Sequence, residues 1–217
     1  MIEKHLDIAT ADGAMNTFIV HPPAGGPHPL VLFFMDAPGK REELHDMARR
    51  IAAAGYYVVL PNLYYRKTRE FVLDRSSEAS MAAMFELMGQ LANAMVVHDA
   101  EAILRYVEAQ PEANAMCVGA VGYCMSGPFV MAAAATLGER IKCIASIHGA
   151  NLVTGRADSA HLMAPRIRCE SYFACAEIDK WAPKETIETL QAALATGGTP
   201  HRIEWYPAVL KFQLIRQ

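Results

Sequence analysis

The chain has 217 residues, 53% of them hydrophobic and 20% charged, the profile of an ordinary globular protein long enough to bury a sizeable core in one domain. Its 20 Lys and Arg against 23 Asp and Glu leave a formal net charge of −3. That charge gives no basic footprint for nucleic acid or for an anionic membrane surface.

The N-terminus, Met1 to Asp7, lacks the long apolar stretch of a secretory signal, which points to the cytoplasm. Ile8 to Thr10 and Met15 to His21 read as strands across the turn Ala11-Asp12-Gly13, opening a β-meander. His21 to Pro27 is a loop by its Pro and Gly content. Leu30 to Met35 is a continuous apolar run, as expected of a strand covered on both faces. Leu44, Met47, Ala48, Ile51 and Ala52 then recur at helical spacing up to Gly55. Tyr56 to Leu60 is a second buried strand, stopped by Pro61, so Leu30 to Leu60 forms a parallel crossover unit.

Ser76 to Gln110 is largely helical, with Met81, Met84, Phe85 and Met88 on one face and Ala102, Ile103 and Tyr106 on another. Cys117 to Gly122 reads as a strand and Pro128 to Leu137 as a helix. The stretch Ala113 to Gly138 carries no charge and has the length of a membrane span, but Gly119, Gly122, Gly127 and Pro128 break it into strand, turn and helix. Ile141 to Ile147 and Cys169 to Cys175 are further strands, separated by an irregular segment. Pro183 to Leu194 is a helix with Ile187, Leu190 and Leu194 inward, and Ile203 to Tyr206 is the last strand. Strands alternating with helices predict a mostly parallel sheet with helices on both faces, in a single domain over residues 1–217.

Five cysteines, Cys117, Cys124, Cys143, Cys169 and Cys175, make an odd set without a CxxC pair, which speaks against a disulfide framework. All but Cys124 lie in or beside apolar runs and are expected to be buried thiols. The eight His show no HxxxH pair and no cluster with Cys, and no GxGxxG or P-loop pattern occurs, so neither a metal nor a nucleotide is expected.

Chemistry concentrates in Gly122-Tyr123-Cys124-Met125-Ser126-Gly127. A nucleophile elbow turns a strand directly into a helix, holds the nucleophile at a strained apex, and needs small residues two places before and after it. Gly122 and Ser126 fill those places, Gly127 adds room, and the flanking strand and helix supply the context. A cysteine at a helix N-terminus gains thiolate character, and the Met125 backbone N–H is placed to meet a developing oxyanion. A core cysteine beside a glycine turn is the plain alternative.

Together with Pro61-Asn62-Leu63-Tyr64-Tyr65-Arg66, Tyr172-Phe173 and Asp179-Lys180-Trp181-Ala182-Pro183, this elbow resembles dienelactone hydrolase, with the motifs in the same order from about Asp7 to Pro207. The resemblance implies a three-layer α/β-hydrolase fold. It also implies hydrolysis of a small-molecule ester or lactone through a Cys-His-Asp triad, without metal or cofactor. Asp179 matches the triad acid, whose task is to orient and stabilise an imidazolium; a helix N-terminal Asp is the alternative reading. Asp36 matches a family glutamate that contacts the resting thiol, Ala37 matches the second backbone oxyanion donor, and Tyr123 and Arg66 are pocket candidates. Arg66 would neutralise a substrate carboxylate or simply be a solvated loop residue.

The triad histidine does not fall in its place. The family pattern Tyr-Pro-Gly-x-x-His-Gly-Phe is here Tyr206-Pro207-Ala208-Val209-Leu210-Lys211-Phe212-Gln213, with Lys211 in the histidine slot and the expected C-terminal helix missing from the 217 residues. An altered C-terminus, a non-catalytic relative that keeps the pocket, or a different base would each account for this. His148 ends the strand after the elbow helix and is one candidate base, although a strand-end His packed on a turn is the plainer reading. His201 stands at the wrong end of the last strand, and Lys211 would need a strongly lowered pKa. A class I glutamine amidotransferase-like enzyme would need a late His-x-Glu pair, and none follows the elbow.

Overall fold

Alternating and continuous apolar runs set the strands of the computed structural model, which describes residues 1–210. Two compact units divide it, Met1–Gly119 and the part from Ala120 onward. The first opens with a hairpin of β1 (Ile2–Thr10) and β2 (Gly13–His21), paired from Ile2↔His21 to Thr10↔Gly13. Gly13 turns the corner at φ 133°, a region closed to residues with a side chain. β3 (His28–Phe34), α1 (Glu42–Ala53) and β4 (Tyr57–Pro61) form the expected crossover, with Leu30↔Tyr57 and Leu32↔Val59 in parallel register. α1 packs Leu44, Ala48 and Ala52 inward and ends before Gly55 at φ 102°.

The meander stops at the hairpin. β2 pairs antiparallel with β4 rather than with β3. β3 is apolar on both faces, so it belongs inside the sheet, and the crossover inserts β4 between it and β2. Two helices follow, α2 (Glu78–Gly89) and α3 (Asn93–Glu108). α3 buries Val96, Val97, Ala100, Ile103, Leu104 and Val107, the Val, Ile and Leu side chains each contributing roughly 1.5–3 kcal/mol by leaving water. The expected methionine face of α2 is only partly realised: Met84 is buried, Met81 and Met88 are half-buried, and Phe85 is exposed. α2 carries apolar residues all round rather than in one stripe, so no single packing partner can cover them.

β5 (Ala113–Tyr123) runs from the first unit into the second, where α4 (Gly127–Leu137), β6 (Ile141–Ile147), β7 (Glu170–Ile178), α5 (Lys184–Thr196) and β8 (His201–Leu210) follow. β6 and β7 pair in parallel with Ile147↔Ala174, and β7 and β8 with Phe173↔Ile203. The strand order is β1-β2-β4-β3-β5-β6-β7-β8, an eight-stranded, mostly parallel sheet. α4 is apolar and buried through Phe129, Val130, Met131 and Ala132 to Ala134, which explains the charge-free run. Among the described residues no single helix is long and apolar enough to cross a membrane.

Several strands outrun the apolar runs that predict them, with β1 beginning at Ile2, β5 at Ala113 and β8 at His201 and β7 reaching Ile178, because residues beyond the apolar run still carry ladder hydrogen bonds. Of the four thiols expected in the core, Cys169 and Cys175 are buried, Cys117 is half-buried and Cys143 is exposed. Cys143 sits near the start of β6, where Lys142 and Cys143 are both open to solvent. Lys211, Phe212 and Gln213 lie outside the described residues.

Candidate active site

β5 ends at Tyr123 in extended conformation, and Cys124 follows at φ 55°, in the left-handed region that L-residues avoid. Cys124, Met125 and Ser126 make one 3-10 turn, and α4 starts at Gly127 with Pro128 in its first turn. The small residues of the motif have visible causes. A Cβ on Gly122 would lie 2.8 Å from the Ser126 carbonyl carbon and 3.0 Å from Val130 Cγ1. A Cβ on Gly127 would lie 2.6 Å from Ser146 Oγ and 2.7 Å from Gly149 Cα. The end of β6 is therefore packed directly on the start of the elbow helix, with glycine on both sides of the contact.

That packing continues through the backbone. The Ala150 N–H donates to the Cys124 carbonyl at 2.8 Å, and the His148 N–H donates to the Ala174 carbonyl at 2.8 Å, extending the β6–β7 ladder by one residue. His148 is 2% exposed, with its ring edge-on to Tyr123 at a centroid distance of 6.0 Å. His148 at φ 41° and Asn151 at φ 56° share the left-handed conformation of Cys124. These are the positive-φ non-glycine positions of the described residues, and they lie in one hydrogen-bonded corner. At Cys124 and His148 such a backbone costs on the order of 1–3 kcal/mol unless the surroundings hold it, whereas Asn tolerates it at lower cost.

Asp179 follows β7 directly and is 8% exposed. Its Oδ1 accepts the Trp181 N–H at 2.8 Å, and its carbonyl accepts the Ala182 N–H at 3.3 Å. The side chain thus caps a turn of its own, whereas the N-cap of α5 is Pro183. Burial, with repulsion from Asp179 added, pushes the Cys175 thiol up to about 12, so the carboxylate acts on the end of β7.

The other expected residues belong to the first unit. Asp36 is 2% exposed, and its carboxylate accepts two hydrogen bonds from the Arg41 guanidinium. Arg41 also donates to the Gly39 carbonyl at 3.0 Å. Burial opposes the Arg41 charge, but the Asp36 hydrogen bond together with the Asp36 and Glu43 charges outweighs it and raises the pKa. Ala37 is buried, and its carbonyl accepts the Tyr64 hydroxyl at 2.8 Å. Arg66 grips Asp99 with two nitrogens at 2.9 and 2.7 Å and Asp12 with its Nε at 2.7 Å, and stacks 4.5 Å above the Tyr65 ring. Tyr65 completes the cluster by donating to Asp99 at 2.9 Å. The Arg66 charge is therefore already compensated by carboxylates of its own unit.

Sequence reasoning missed Arg41 and Asp99, the partners that hold Asp36 and Arg66. Asp99 had a signal: it is the acidic residue on the buried stripe Val96, Ala100, Ile103 and Val107 of α3, and a charge there needs a partner. Among the described residues no group of three or more His, Cys, Asp or Glu is arranged to hold a metal ion.

Comparison with known proteins agrees with this architecture. The family model described as the dienelactone hydrolase family matches residues 15–212. A protein of Synechocystis sp. assigned as a carboxymethylenebutenolidase is 26% identical over 193 residues, 88% of this chain and 77% of its own. The carboxymethylenebutenolidase of Pseudomonas putida is 29% identical over 135 residues, 62% of this chain and 57% of its own. The crystal structure of a Klebsiella pneumoniae protein assigned as a dienelactone hydrolase superposes with a TM-score of 0.84 at 22% identity, covering 96% of this chain and 86% of the other. The fold is that of the α/β-hydrolases.

Proposed function

The chain belongs to the dienelactone hydrolase family, and on that premise we propose that it hydrolyses a small-molecule ester or lactone through a thioester on Cys124. The observation that carries the proposal is the left-handed backbone of Cys124, φ 55°, at the junction of β5 and the elbow helix. Nothing in an ordinary core cysteine asks for that conformation, whereas a nucleophile presented at the apex of a strand-to-helix turn does. The thiolate attacks the carbonyl carbon, and the Met125 N–H stabilises the oxyanion, an interaction typically worth about 2.7–4 kcal/mol in the transition state. Collapse expels the alcohol and leaves the thioester, which water then cleaves. Asp179, buried after β7, is the carboxylate that would orient an imidazolium. The names of the relatives, carboxymethylenebutenolidase, support an unsaturated lactone among the substrates.

The test is p-nitrophenyl acetate turnover by the full chain, checked by intact mass, with and without Cys124→Ala. Loss of turnover on the order of 10³-fold or more is expected on removing a nucleophile. Undiminished turnover in the Cys124→Ala protein would refute the proposal. Absence of turnover in both proteins would instead favour a relative that keeps the fold without the reaction.

A further inference from the structure

We propose that His148 is the base that takes the proton of the Cys124 thiol, an inference that rests on Cys124 being the nucleophile. The first ground is topology. Strands β5, β6 and β7 are neighbours in that order, with Cys124 following β5, His148 following β6 and Asp179 following β7. A residue at the end of β6 therefore stands, in strand order, between Cys124 at the end of β5 and Asp179 at the end of β7.

The second ground is backbone strain. His148 takes φ 41° in the same corner as Cys124, and Ala150, two residues on, is hydrogen-bonded to the Cys124 carbonyl. A histidine that merely filled space could be replaced there by Gly or Asn, which tolerate that conformation at lower cost. The third ground is packing. The Gly127–Gly149 contact locks the loop carrying His148 against the start of the elbow helix, and the Tyr123 ring bounds the imidazole at 6.0 Å. A base held this way meets the need for a fixed orientation toward its proton.

The other histidines of this unit are committed elsewhere. His201 begins β8, at the end of the sheet away from Asp179, and its Nδ1 lies 2.8 Å from the Thr199 carbonyl. The His161 Nδ1 lies 2.8 Å from Ser159 Oγ in the segment between β6 and β7. The Tyr123 ring faces the imidazole, α4 carries no titratable residue, and Cys175 and Asp179 stand toward the end of β7, the strand to which the His148 backbone is hydrogen-bonded.

The chemistry balances without a further reactant. The thiol proton passes to the imidazole as the Cys124 Sγ–carbon bond forms. The imidazolium returns that proton to the leaving alkoxide as the ester C–O bond breaks. Water then gives one proton to the imidazole while its oxygen attacks the thioester, and the proton goes back to the thiolate on its release.

Iodoacetamide alkylation of Cys124, followed by intact mass and peptide mapping from about pH 6 to pH 10, tests this on the full chain. The wild type should react faster than free cysteine near pH 7. His148→Asn should slow that reaction by roughly 10- to 100-fold, within the reach of a lost general base, and the gap should close above about pH 9, where the thiol ionises unaided. His148→Gln repeats the measurement if the Asn variant is unfolded. Should neither variant fold, the wild-type profile decides: reactivity must persist below about pH 7 rather than follow one thiol ionisation near 8.5. A variant rate equal to wild type, a slowing of the same size at every pH, or a pH-selective loss produced by Lys211→Ala instead would overturn the assignment of His148 alone. A wild-type Cys124 no faster than free cysteine would overturn the nucleophile reading beneath it.

Discussion

Gly122→Ala is the sharpest perturbation of the elbow, because the position tolerates an ordinary backbone and the strain of the variant comes from contact alone. The new Cβ would sit 2.8 Å from the Ser126 carbonyl carbon and 3.0 Å from Val130 Cγ1, with the Ser126 oxygen nearer still. Carbon atoms pack comfortably at about 3.5 Å, so the turn must open by roughly 0.7 Å. The two nearest obstructing atoms are backbone of the turn that presents Cys124, and no side-chain rotation relieves them. Overpacking of this kind costs about 1–3 kcal/mol. For a chain of this size that lowers Tm by roughly 4–8 °C at the middle of the range. A displacement approaching 1 Å at a reacting group also costs up to about 100-fold in rate. Thermal melting by circular dichroism reads the first effect, and Cys124 alkylation at neutral pH reads the second. A Gly122→Ala protein that melts within about 1 °C of wild type, with Cys124 equally reactive, would show that the turn has slack and that its glycine is not there to avoid this clash.

Four other outcomes are expected. Asp99→Ala leaves the half-buried Arg66 facing only Asp12 and should cost about 3–5 kcal/mol, seen as a fall in the urea midpoint. Gly89→Ala meets nothing within 4 Å at the end of α2 and should stabilise the chain by about 0.4–1 kcal/mol in the same assay. Burial, with Asp179 beside it, raises the Cys175 thiol to about 12, so the folded chain keeps a proton that the unfolded chain releases near 8.5. Stability should therefore fall as pH rises above that point, and Cys175→Ala should flatten the decline in urea midpoints measured between about pH 8 and pH 11. The exposed Cys143 should be alkylated at pH 9 while Cys175 and Cys169, both with raised pKa, remain unmodified in peptide maps.

The fold was largely legible because its information is local. Leu30 to Met35 and Tyr56 to Leu60 announce buried parallel strands by being apolar without alternation, and the Leu44–Ala48–Ala52 stripe announces the helix between them. What local pattern cannot state is which strands become neighbours. Nothing in Met15 to His21 says that β2 will pair with β4 rather than with β3, since either neighbour would cover its apolar residues. The methionines of α2 misled for a related reason. Helical spacing reports that residues share a face, not that the protein has a second surface to put against it, and Phe85 is left exposed.

At the candidate site the division falls between constraints a few residues long and constraints that span the chain. The elbow is written in six consecutive residues, because the clash between positions 122 and 126 is decided within one turn. The pairing of Arg66 with Asp99 joins residues 33 apart in sequence, and the sequence alone allows Arg66 to face solvent or a ligand instead. His148 is the instructive case between these. Its residue type and place at a strand end were visible, but they fit an inert packed histidine as well as a base. The added information is conformational: a left-handed backbone at His148, glycine-to-glycine contact with the elbow helix, and a hydrogen bond from Ala150 to the Cys124 carbonyl. The first two cost free energy or exclude side chains, and such costs gather where geometry must be held against the chain's own preferences. Single-residue propensity has no term for that, so strain of this kind becomes visible only once the backbone is in view.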